Sequence, residues 1–75
     1  METTGQEVRM TAREVAERVE AVRAIAHDDV EAHLAEYTLY VEVLRAIAEG
    51  RCEAPGAVAR AALGTQDIPF DRWSD

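Results

Sequence analysis

Apolar positions along this chain recur at helical spacing and nowhere alternate as a strand would. Val8, Ala12, Val15, Val19, Val22 and Ala26 follow one another at intervals of 4, 3, 4, 3 and 4, which returns side chains to one face of a helix. The pattern predicts helix 1 over about 12–27. Thr11-Ala-Arg-Glu14 opens it as a capping box, the threonine hydroxyl accepting from the Glu14 amide while the Glu14 carboxylate returns to the Thr11 amide. The seam spans about two to three heptads, short for a free-standing coiled coil and suited to a helical hairpin. Its β-branched valines are modest helix formers, so packing must hold it.

The same intervals return in Val30, Leu34, Tyr37, Val41, Leu44 and Ala48. They predict helix 2 over about 29–49, stopped by Gly50. A second apolar set, Leu39, Tyr40, Val43, Ala46 and Ile47, falls largely off that stripe. The polar residues Glu31, Thr38, Glu42, Arg45 and Glu49 share a strip only about 60° wide. The second half of helix 2 is therefore apolar nearly all round, and helix 2 is expected to be the central element.

Further on, Pro55 sits where an N1 proline belongs, and PGAVARAALG predicts a short third helix over about 55–63 closed by Gly64. Its Ala57, Ala61 and Ala62 would permit close approach to helix 2. In the tail, Pro69 biases Ile68 to extended backbone. Phe70 and Trp73, three apart, are expected to latch the tail onto the bundle or across a dimer. The expected fold is all-α: an antiparallel helical hairpin, a short third helix and an ordered aromatic C-terminal tail. Residues 1–10 form an N-terminal arm and 11–75 a single helical domain.

Length sharpens this picture. A chain of 75 residues buries only roughly 60% of the surface its unfolded form exposes, so it is marginal without a staple. The single cysteine, Cys52, cannot form an internal disulfide and points to a reducing compartment, leaving self-association or a metal as the staple. No apolar run approaches the roughly 18 residues that span a bilayer. METTGQEVRM lacks the basic and apolar regions of a secretory signal. The expectation is a cytoplasmic protein without a membrane partner. The net charge of −7, with every positive side chain an arginine, argues against a nucleic-acid partner, which needs a basic stripe to replace counterions.

The densest chemistry lies in Ala26–His33, AHDDVEAH. On a continuous helix His27/Glu31 and Asp29/His33 are i,i+4 pairs able to chelate a metal. His27 and His33, six apart, point about 120° away from each other and cannot share one ion. A helix junction accounts for more of the residues: Asp28 to Glu31 carries N-cap chemistry, and His27 would face the C-terminus of the preceding helix. The metal alternative uses this cluster, with Asp29, His33 and Glu36 facing a symmetry mate. Cys52 beside Arg51 reads as a small loop residue. Ser74, the sole serine, lies at the chain end. Phosphate-loop, CxxC and HExxH motifs are missing. No enzyme activity and no cofactor are expected.

The segments LYVEVLRAIAEG and ARAALGTQDIPFDRW resemble a group of small helical-hairpin proteins of GC-rich bacteria and their phages, in which a hairpin precedes a terminal F-x-R-W. The resemblance covers about residues 11–73. It implies a recurring compact unit and attaches no activity, nor any role for Asp71 and Arg72.

The function expected is therefore that of a non-enzymatic interaction or regulatory protein, homodimeric, with paired hairpins forming a four-helix core. Its interface would use Tyr37, Leu39, Tyr40, Val43, Leu44, Ile47, Phe70 and Trp73, the tail being able to meet a further protein partner. A second alternative is an acidic decoy of phage or mobile-element origin that inhibits a basic partner. The alternation of acids with Arg along helix 1 weakens the single-sign field this would need.

Overall fold

The computed structural model describes residues 9–72. They form three α-helices, α1 (Ala12–Ala24), α2 (Asp29–Ala48) and α3 (Pro55–Ala62), followed by a 3-10 helix at Leu63–Asp67. No strand occurs among them; one isolated parallel bridge joins Met10 to Cys52.

Each helix end has a chemical cause. Both halves of the Thr11 capping box are made, with Glu14 N donating to Thr11 Oγ1 at 3.1 Å and Thr11 N to Glu14 Oε1 at 3.3 Å. α1 stops at Ala24, short of the expected 27, because Ile25 leaves helical geometry and 25–28 form a turn. Asp28 then caps α2, its Oδ1 accepting from Glu31 N at 3.1 Å. The junction is a break between two helices, and His27 is an exposed turn residue beyond the Ile25 cap.

α2 ends in a Schellman motif. Gly50 adopts φ 72°, Arg51 N donates to Ala46 O at 2.8 Å and Gly50 N to Ile47 O at 3.1 Å, so those two carbonyls are satisfied. Gly64 does not play this part for α3, contrary to expectation. The chain tightens into the 3-10 helix instead, and Gly64 stays within it against Val19. At the end of the arm, Met10 N donates to Arg51 O at 2.8 Å, and Glu53 N to Met10 O at 3.2 Å.

The core joins Val15, Val19 and Val22 of α1 to Leu39 and Val43 of α2, Val58 and Ala62 of α3, and Ile68 of the tail. The main difference from expectation concerns α2. Its buried face is Ala32, Glu36, Leu39, Val43 and Ala46, a second stripe spaced 4, 3, 4, 3. Ala32 and Ala46 are wholly buried, and such small residues let the valines of α1 and the alanines of α3 approach closely. The greasier stripe faces outward. α2 therefore flanks the bundle, while α1 and α3 pack most closely on each other and both meet α2 and the 3-10 helix. No helix among the described residues is long and apolar enough to cross a membrane.

Candidate interaction surface

The outer face of α2 carries the feature that the intramolecular core leaves unused. Val30, Leu34, Tyr37 and Leu44 remain 53%, 54%, 63% and 66% exposed. They belong to the 4-3-4-3-4 stripe completed by half-buried Val41 and exposed Ala48. In heptad terms Leu34, Val41 and Ala48 are a positions, and Val30, Tyr37 and Leu44 are d positions. A contiguous apolar stripe on a short chain is the kind of surface that proteins cover.

Grooves border the stripe on both sides. Toward α1 lies one of about 400 Å³, walled by Ile25, Leu34 and Leu39 with Arg18, Glu31 and Thr38 at its polar margin. Toward α3 lies one of about 230 Å³, walled by Tyr40, Leu44, Ile47 and Ala59 with exposed Leu63 at its rim. Arg18, which lines the first groove, pairs with Glu42 at 2.8 Å and so ties α1 to α2.

The inner side of α2 bears a different device. Glu36 is 5% exposed, and its carboxylate meets the Arg72 guanidinium side-on, Nε at 2.9 Å from Oε1 and Nη2 at 3.0 Å from Oε2. Thr65 Oγ1 donates to Glu36 Oε2 at 2.6 Å. Because that hydroxyl has only one proton, it accepts from the Tyr40 hydroxyl, which in turn accepts from Gln66 Nε2 at 2.9 Å. Arg72 Nη2 also reaches Thr65 O at 2.7 Å and Ile68 O at 3.3 Å, and the guanidinium stacks 3.8 Å from the centroid of the Phe70 ring. Burial by itself would raise the Glu36 pKa. The Arg72 and Thr65 hydrogen bonds, the Arg72 charge and the nearby His33 together outweigh it and hold the carboxyl below its ordinary value. The Glu36 bond correspondingly raises the pKa of Arg72.

These contacts redistribute the expected interface. Tyr37 and Leu44 do lie on the surface. Leu39 and Val43 do not: both are core residues facing α1 and α3. Tyr40 is half-buried and committed to the Glu36 network, and Ile47 is half-buried against the core. Phe70 packs on the core and under Arg72, whereas Trp73 lies outside the described residues. Val30 and Leu34, omitted from the expected interface, are part of the exposed stripe. Arg72, to which the resemblance attaches no role, organises the tail.

The metal alternative meets an obstacle at Glu36, whose two oxygens are both engaged by Arg72. Asp29 Oδ1 is likewise engaged, accepting from Asp71 N at 3.1 Å. His33 Nδ1 is buried without a partner among the described residues, but no group of three or more His, Cys, Asp or Glu among those residues could hold a metal ion. Cys52 is a free, buried thiol in the core.

Comparison with known proteins returned nothing to set beside this geometry: no family model, curated protein or solved structure matches the chain.

Proposed function

We propose that this is a non-enzymatic assembly protein whose hairpin of α1 and α2 pairs with a second copy through the outer face of α2, giving a four-helix core. The observation that carries the reading is the complete heptad stripe from Val30 to Ala48, left open while a less apolar stripe of the same helix fills the core. Burying the remaining exposed part of Val30, Leu34, Tyr37 or Leu44 gains about 1 kcal/mol each. In a 75-residue chain without an internal disulfide, that contribution is large relative to the stability available.

The tail supports this arrangement from inside. By anchoring Arg72 to Glu36, it closes over the one charged position of the inner stripe, whose apolar positions lie in the core. The reading places the protein in the cytoplasm, where a lone buried thiol stays reduced. The resemblance to helical-hairpin proteins of GC-rich bacteria and their phages adds the idea of a recurring unit but no activity.

A Leu34→Glu/Leu44→Glu variant tests the proposal. Both positions are exposed, so its circular dichroism should remain helical while light scattering reports a single chain where the wild type reports two. An unchanged oligomeric state would overturn the reading.

A further inference from the structure

We infer that the second copy docks antiparallel on α2, in a register set by Glu31 and Arg45. The inference rests on the assembly proposed above and deepens it by fixing how the partner lies.

Glu31, Thr38 and Arg45 are spaced by sevens and occupy the e positions along one edge of the exposed stripe. Glu31 and Arg45 are both exposed. Neither enters an ion pair among the described residues, although the neighbouring charges do: Arg18 pairs with Glu42 and Arg51 with Glu49. Arg45 is also the only arginine on α2. An acid near one end of the edge and a base near the other, 14 residues apart, are separated by about 21 Å along the helix. Within one chain they are too far apart to meet.

Two-fold symmetry about an axis on the outer face of α2, at the level of residue 39, brings them together. In an antiparallel pair, e positions face e positions, so Glu31 of each chain meets Arg45 of the other and Thr38 lies close to its own symmetry mate. The apolar layers close in the same register: Leu34 against Leu44 of the second copy, Tyr37 against Val41, and Val30 against Ala48. On the opposite edge the g positions, His33, Tyr40 and Ile47, place Tyr40 near Tyr40 of the second copy. A parallel pair would set e against g positions, so that Arg45 meets a tyrosine and neither charge finds an opposite. Charge complementarity thus selects the antiparallel orientation while the hydrophobic stripe supplies adhesion.

Disulfide trapping distinguishes the cases. Glu31→Cys and Arg45→Cys chains are mixed and oxidised, with the wild-type chain as control for buried Cys52. A dominant Glu31→Cys/Arg45→Cys heterodisulfide, with little homodisulfide from either chain alone, is the expected result. Homodisulfides, or no cross-link in chains that light scattering finds dimeric, would overturn the register and leave the assembly standing. Monomeric wild-type chain would overturn both. In the same register, Glu31→Arg should weaken dimerisation roughly tenfold by opposing two Arg45 side chains, and Glu31→Arg/Arg45→Glu should restore it. Equal effects of the single and double variants would also overturn the register.

Discussion

Arg72 binds Glu36 across 36 residues of sequence, through two guanidinium nitrogens at 2.9 and 3.0 Å from a carboxylate almost wholly out of solvent. A charge so placed is tolerable only while its partner is present. Arg72→Ala should therefore destabilise the fold by about 3 kcal/mol, the low end for a broken buried pair, because the Arg72 side chain keeps some exposure. Arg72→Lys should recover only part of this, since an ammonium cannot reproduce the side-on fork or stack on Phe70 in the same way. Urea melts of the three chains provide the comparison.

The pair also makes stability depend on pH in a definite direction. Glu36 has a folded pKa below its ordinary value of 4.5. The folded state thus binds the proton less readily than the unfolded chain. The contribution is fully present above that ordinary value and is lost as pH falls through the lower folded value. Denaturant midpoints should consequently drop on the acid side, and Glu36→Gln should flatten that limb while lowering the neutral-pH midpoint. An unchanged acid limb in the glutamine variant would assign the loss to other carboxylates.

The caps at three helix ends were the most legible part of the sequence, because capping is local chemistry. Thr11 with Glu14, Asp28 with Glu31, and Gly50 after α2 act within four residues of themselves, and each does what its spacing implies. Thr11→Ala and Asp28→Ala should each cost about 1 kcal/mol in thermal or urea melts, since each leaves a helix-end amide without its acceptor.

The two faces of α2 were not legible in the same way. Two stripes with equal periodicity lie on one helix, and hydrophobicity alone favours Val30–Ala48 as the inner one. What decides is tertiary: wholly buried Ala32 and Ala46 admit close neighbours on the inner side. Glu36 sits within the chosen stripe at the spacing of Ala32, Leu39 and Val43. An acid interrupting an apolar stripe was the available sign of a buried pair, but its partner lies far away in the tail. The F-x-R part of the tail motif supplies it.

Glycine positions separate local from tertiary demands once more. Gly50 has φ 72°, so Gly50→Ala should destabilise by about 1 kcal/mol despite open space around it. At Gly64 the backbone needs no left-handed conformation, and a Cβ would meet Val19 Cγ1 at an ordinary 3.5 Å. Gly64→Ala should raise stability by about 0.5 kcal/mol by restricting the unfolded chain. Thermal midpoints moving in opposite directions would bear this out.

The central claim is that the open stripe of α2 is covered by a second copy. Sedimentation equilibrium of the wild-type chain, carried to roughly millimolar concentration, tests it most directly. The account predicts a mass approaching twice that of the chain as concentration rises. A single-chain mass across the whole range would contradict it.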